Sequence, residues 1–202
     1  GKFDAIKTIK MKDDKETKIK LGAAYNYKNR DFSVYKYNFQ PRGANFTLTG
    51  DADQIYDELL YTEAADEGFF VYDFFNDANQ FQANSSLLGA YAMNELPLGN
   101  RFNAIYGVRI EQIMMNYSGQ NQLGTRLDNE RVLDELSILP SASFVYRATA
   151  NMNVRLAGSQ TVARPSFKEK SNAQILDPIT NRTFIGNLDL EQTDITNLDL
   201  RW

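Results

Sequence analysis

Two acidic clusters stand close enough in the sequence to do chemistry. Asp51, Asp53, Asp57 and Glu58 offer hard carboxylate oxygens of the kind that hold Ca²⁺. Asp73, Asn76, Asp77 and Asn79 form a second oxygen-rich patch. Neither has the glycine turn and closing bidentate Glu of an EF-hand loop, and carboxylates at 51–58 also suit the first turn of a helix. Glycoside hydrolysis needs two carboxylates converging on one bond. The neighbours Asp57/Glu58 and Asp66/Glu67 diverge if they lie on a helix. The chain has no His, no Cys and no Gly-x-Ser-x-Gly elbow, which removes His general bases, thiolate nucleophiles and Cys/His zinc sites. No enzyme chemistry, metal or cofactor is expected.

Ligand contact is a better use of the remaining candidates. Phe69, Phe70, Tyr72 and Phe74 lie close together in an aromatic segment and offer rings to stack on a sugar or an aromatic chelator. Arg164, Asp177, Asn181 and Arg182 gather in a later polar segment. The net charge is −4, so there is no basic footprint for nucleic acid.

These residues must be held by strands. In 17–27, Ile19, Leu21, Ala23, Tyr25 and Tyr27 share one face, and Lys18, Lys20, Gly22, Ala24 and Asn26 the other. In 101–117, Phe102, Ala104, Tyr106, Val108 and Ile110 oppose Asn103, Gly107, Arg109 and Glu111. In 137–147, Ile138, Pro140, Ala142, Phe144 and Tyr146 align, and 152–163 and 195–202 repeat the pattern. Further strands are expected at 3–11, 31–39 and 85–96, and a helix at 51–68. The strand that starts near Met152 must stop at Arg164-Pro165, because Pro lacks a donor and restricts the residue before it.

The connections fall at 13–16, 40–83, 97–100, 118–131, 149–151 and 164–192, so short and long alternate. In an antiparallel meander, alternate connections share an end. All short turns then lie at one rim and all long loops at the other. Short turns on one side, long loops on the other and an outward apolar face describe a transmembrane β-barrel. No run of eighteen apolar residues is present, which speaks against a membrane helix and not against a barrel. The fold class is therefore read as all-β, an antiparallel up-and-down meander forming part of a barrel, with a short helix in a long extracellular loop. Tyr25, Tyr27, Phe102, Tyr117, Tyr146 and Trp202 are candidates for interfacial aromatic girdles. The alternative is a soluble β-sandwich that binds glycans through its aromatic insert.

Four stretches resemble the barrel of TonB-dependent receptors, especially the Bacteroidetes type: KIKLGAAYNYKNRDFSV (18–34), LLGAYAMNELPLGNRFNAIYGVRIE (87–111), LPSASFVYRATANMNVRLAGSQTVARPSFKE (139–169) and DPITNRTFIGNLDLEQTDITNLDLRW (177–202). Gly-Val-Arg and Thr-Val-Ala-Arg-Pro, in that order, carry most of the likeness. The 40–83 insert carries little.

The resemblance implies a bacterial outer-membrane location and a 22-stranded barrel closed by an N-terminal plug. It also implies import of iron–siderophores, cobalamin, glycans or peptides with energy passed on by TonB. Residues 1–202 show no plug-like region and no TonB-box candidate, and so read as a mid-to-late slice of the barrel. Its partners would be outer-membrane lipid, the remainder of its own barrel and plug, TonB through the N-terminal part, and a small-molecule or glycan ligand.

Overall fold

The computed structural model describes residues 1–11, 15–35, 37–43, 47–51, 53–57, 60–61, 68–73, 76–177 and 179–202. In chain order the strands are β1 (Lys2–Lys10), β2 (Glu16–Ser33), β3 (Tyr37–Arg42), β4 (Gly68–Asp73), β5 (Gln80–Leu98), β6 (Phe102–Gln120), β7 (Arg126–Thr149), β8 (Met152–Ala163), β9 (Gln174–Asp177), β10 (Arg182–Ile185) and β11 (Thr193–Arg201). A short helix, α1 (Asp53–Asp57), lies between β3 and β4. A longer helix is expected over 51–68; residues 53–57 form this turn, Leu60 bridges to Phe69, and 52, 58–59 and 62–67 lie outside the described residues.

Seven strands form one antiparallel sheet in the order β1-β2-β5-β6-β7-β8-β11. Consecutive long strands are neighbours throughout, as in an up-and-down meander. The two remaining pairs, β3–β4 and β9–β10, are small sheets inside the long connections. The sheet is open, with β1 and β11 at its edges.

The register builds two faces. Ala5, Leu21, Ala92, Val108 and Pro140 fall in one cross-strand row, and Ala104, Phe144, Leu156 and Leu200 in another. Opposed residues point to the same side, so the apolar face is continuous across all seven strands. It is also uncovered: Leu198 is 80% exposed, and Leu21, Ile138, Phe144 and Leu200 are exposed with it. A sandwich would bury this face under a second sheet. Among the described residues no second sheet does so, which sets the soluble alternative aside.

The connections sort by rim. The antiparallel order puts the β1–β2, β5–β6 and β7–β8 connections at one end, and the β2–β5, β6–β7 and β8–β11 connections at the other. The middle long-rim connection is shorter than its sequence implies. Most of 118–131, expected as loop, is paired strand, and β6 and β7 run on to a turn at 121–125. Asn121 builds that turn by accepting the Leu123 and Thr125 amides on its side-chain oxygen, and Gly124 takes φ 86°. Unpaired Val132 and left-handed Asn129 mark register shifts where the two strands project beyond the rest.

One further break matters. β8 continues to Ala163, but its pairing with β7 stops at Ser141–Ser159, one residue below Pro140. Proline has no N–H for a ladder, so β7 and β8 part above it. Residues 164–192 enter the wedge.

Candidate functional site

Residues 164–192 form a strap folded back over the polar face of the sheet. Its root is electrostatic. Arg164 Nη2 meets Glu111 Oε2 at 2.7 Å, and Arg109 on the same strand holds the other oxygen of Glu111. Ser137 on β7, directly across from Glu111, exchanges a hydrogen bond with Gln192 at the far end of the strap. One buried carboxylate thus ties the strap to β6, and one serine ties its return to β7.

The strap also has an internal lock. Lys170 is 2% exposed, and its ammonium donates to the carbonyls of Leu188 and Leu190, the latter at 2.6 Å. Burial lowers the Lys170 pKa, and Asp189 and Glu191 pull it back. The Asn187 amide donates to Glu169 O at 2.6 Å, beside Gly186, where any Cβ would strike the carbonyls of Lys168, Glu169 and Ser171. Ser166 and Glu169 cap the first turn: the Ser166 amide and hydroxyl both donate to the Glu169 carboxylate, at 2.7 and 2.8 Å.

Beneath the strap lies the main hydrophobic core. Phe81, Ala83 and Tyr117 line the polar side of the sheet near the long-loop rim, and Ala173 of the strap closes over them, with Phe167 and Leu188 packed beside. Phe32, Phe81 and Tyr117 stack across adjacent strands, with ring centroids 5.1 and 5.6 Å apart. Tyr117, 1% exposed, accepts the Asn172 amide on its hydroxyl at 3.2 Å. Expected as a girdle residue, it sits on the opposite face, because the run Ile113, Met115, Tyr117 keeps in phase with Glu111 and not with Ile110. Four of the other girdle candidates lie on the apolar face, and Trp202 follows the last paired residue, Arg201. Tyr25 and Tyr27 sit towards the long-loop end, while Phe102 and Tyr146 stack 4.5 Å apart at the short-turn end. Asn94 adds a polar contact at that lower margin, accepting from Thr17 at 2.8 Å and donating to Tyr106 at 3.1 Å.

The other long connection displays the aromatic candidates. On the β3–β4 ribbon, Phe70 and Tyr72 oppose Gln40 and Asn38 on one face, with Arg42 beyond. Tyr61 stacks on Phe70 at 4.0 Å, Phe70 on Tyr72 at 5.9 Å, and the Arg42 guanidinium lies 5.4 Å from the Tyr61 and Phe70 rings. Phe69 is buried, Tyr72 is exposed, and Phe74 lies outside the described residues, as do Glu58, Asp66 and Glu67. Asp177 accepts from the Ile179 amide and Thr180 hydroxyl, Asn181 takes φ 53°, and Arg182 pairs across from Asp177, so these three build the exposed β9–β10 turn. The candidates therefore occupy three places: the β3–β4 ribbon, the strap root and the β9–β10 turn. Among the described residues no group of three metal-ligating side chains gathers.

An uncovered apolar face, rims sorted by connection and a strap folded over the polar side are the anatomy of a membrane barrel wall. A model of the TonB dependent receptor-like β-barrel matches residues 8–202. The chain belongs to that family. No curated protein and no solved structure shows significant similarity to it. The receptor is accordingly a bacterial outer-membrane protein, its apolar face is the lipid face, and its polar face is the lumen wall. The family works in reception and transport, with a ligand and TonB as its general partners, and is not a family of enzymes.

Sequence reasoning missed the strap's inward fold and the cleft at the outer rim. That cleft, about 390 Å³, is lined by Asp31, Phe32, Gln82, Ser118, Arg126 and Asp128 among others. The polar residues on both sides of the outer ends of β5 and β6 were the available signal for it.

Proposed function

We propose that residues 1–202 form a mid-to-late slice of the barrel wall and outer vestibule of a TonB-coupled nutrient receptor of the Bacteroidetes type. Its plug and TonB-contacting part would be supplied by other residues of the same protein. The imported ligand would be an iron–siderophore, cobalamin, a glycan or a peptide. Residues 34–79 and 164–192 would be its extracellular segments, and the β3–β4 ribbon a ligand-contact surface. The observation that carries this reading is the ribbon's Phe70–Tyr72 stack beside Arg42, Gln40 and Asn38, rings next to hydrogen-bonding groups on one face at the outer rim.

The test is uptake by intact cells with and without the full-length gene. Ferric siderophores, cobalamin, oligosaccharides and peptides are supplied in turn, with and without a protonophore. One class of solute is expected to enter only when the gene is present and the inner membrane is energised. Tyr72→Ala should lower that uptake several-fold, since an aromatic contact is worth about 1 kcal/mol. Uptake of every class independent of the gene would overturn the proposal.

A further inference from the structure

The lumen side of β1 and β2 carries a charge pattern that the fold does not require. Alternation along β2 puts Lys18, Lys20, Lys28 and Arg30 on the lumen face, with Gly22, Ala24 and Asn26 between them. The same face of β1 adds Lys2 and Lys10. Asp4 and Glu16 are the acids on that face of the two strands, so among the described residues of β1 and β2 cations outnumber them six to two. The whole chain is net −4, so the positive charge has been gathered on one part of the lumen wall.

On β1, Lys2 pairs with Asp4 at 3.0 Å and Lys10 lies across from Glu16, whereas the four cations of β2 are answered far less. Lys20 lies across from Ile6 and Met93, Lys28 from Ser85 and Arg30 from Ala83. Lys18 faces Glu95, yet neither it nor Lys20, Lys28 or Arg30 makes an ion pair among the described residues. The lumen side of β6 is different, since its one acid, Glu111, is clamped by two arginines. Like charges two residues apart on one strand face repel, and Glu95 across from Lys18 is the one acid that directly opposes any of these four. An aqueous lumen with low-dielectric walls focuses the field of such a row. Lys18 to Arg30 extends about 40 Å along the strand, the thickness of the bilayer with its headgroups. The upper pair, Lys28 and Arg30, is exposed near the outer mouth.

We propose that this lumen-facing ladder recognises a small polyanionic solute, with Lys28 and Arg30 as its first contact at the outer mouth. The proposal rests on the transport reading and narrows its substrate class to anions carrying carboxylate, phosphate, sulfonate or comparable groups.

The test uses the full-length receptor in zwitterionic detergent and the trianionic dye 8-hydroxypyrene-1,3,6-trisulfonate, followed by fluorescence anisotropy against receptor-free micelles. The wild type should bind the dye at low salt, and binding should weaken at least tenfold between about 20 and 300 mM salt, as screening requires. Lys28→Gln/Arg30→Gln should weaken binding at least fivefold, while Lys28→Arg/Arg30→Lys should retain it. Heat-modifiable gel migration checks that each variant is folded. Equal binding by the glutamine variant, or salt-independent binding, would overturn the proposal. So would a lowered melting temperature with unchanged dye binding, the result expected if the ladder serves an acidic surface of the plug. Dye binding is read without uptake, so loss of TonB-dependent transport would defeat the functional reading and leave this measurement standing.

Discussion

Arg164 and Glu111 lie 53 positions apart in sequence and meet at 2.7 Å, the first residue of the strap closing on the lumen face of β6. Arg109 shares the same carboxylate, and its guanidinium lies over Gly89, the residue opposite Glu111, whose missing side chain leaves room for it. The pair fixes where the chain goes after Pro165 ends β8.

Removing the carboxylate should release the strap and leave the sheet intact. Glu111→Gln leaves two guanidiniums facing an amide, and a hydrogen bond to a charged group contributes about 1.5–3 kcal/mol. Both arginines are partly exposed, so the lower end of that range is expected. Hydrogen exchange on the full-length receptor should show faster exchange at the Lys170 and Asn187 amides, with the β5 and β6 amides unchanged. Arg164→Lys should fall between, because a single ammonium keeps the charge and loses the fork.

The strap's second hold is the ring of Tyr117. Tyr117→Phe removes the acceptor of the Asn172 amide while keeping the packing, and should cost about 1 kcal/mol. Tyr117→Ala opens a cavity under Ala173 and should cost about 3–5 kcal/mol. The melting temperature of the purified receptor separates the two. Equal small losses would mean that the ring is not a support of the strap.

Alternation made the sheet readable from sequence. Ile19 to Tyr27 and Phe102 to Ile110 keep strict phase, and a one-residue slip would turn every apolar side chain into the lumen. Arg164-Pro165 likewise ends β8 where its chemistry says it must. The strap was not readable, because it depends on Pro140, which in sequence is one more apolar residue in phase with Ile138 and Ala142. Its missing donor matters only once β8 is known to lie beside it. Tyr117 escaped for a related reason: Met114 and Met115 interrupt the periodicity, so phase cannot be carried from Ile110 to Tyr117 without the register. The loop expected at 118–131 failed because polar residues on both faces suit a paired ribbon standing in water as well as a loop.

Acid should loosen the start of the strap. Glu169 is held below its ordinary 4.5 by the Ser166 amide and hydroxyl, and Asp177 below its ordinary 3.8 by Thr180 and Ile179. A carboxyl with a depressed folded pKa contributes stability that is present above its unfolded value and is lost as pH falls through the folded one. The Ser166–Glu169 cap should therefore hold at pH above about 5 and weaken at pH below about 4. Corrected for intrinsic rate, exchange at the Ser166 and Lys170 amides should rise over that interval. Glu169→Gln should remove most of the pH dependence, and an unaltered profile would show that the cap does not control the turn.

The two faces of β8 and β11 give the most direct check on orientation. Leu156 and Leu200 oppose each other on the apolar face, while Ser159 and Asn197 oppose each other on the lumen face one position from Gly158–Leu198. An arginine on the lipid side near the midplane of a barrel costs about 2–4 kcal/mol and falls towards nothing at the interfaces. Leu156→Arg should therefore reduce folded receptor in the outer-membrane fraction sharply. Ser159→Arg, at a similar depth, should leave it near the wild-type level, because a wet lumen solvates the guanidinium. Phe102→Arg, at the short-turn margin, should cost less than Leu156→Arg. A reversed order between the first two would place hydrocarbon on the wrong side of the sheet, and with it Lys18, Lys20, Lys28 and Arg30 in lipid, which no barrel could sustain.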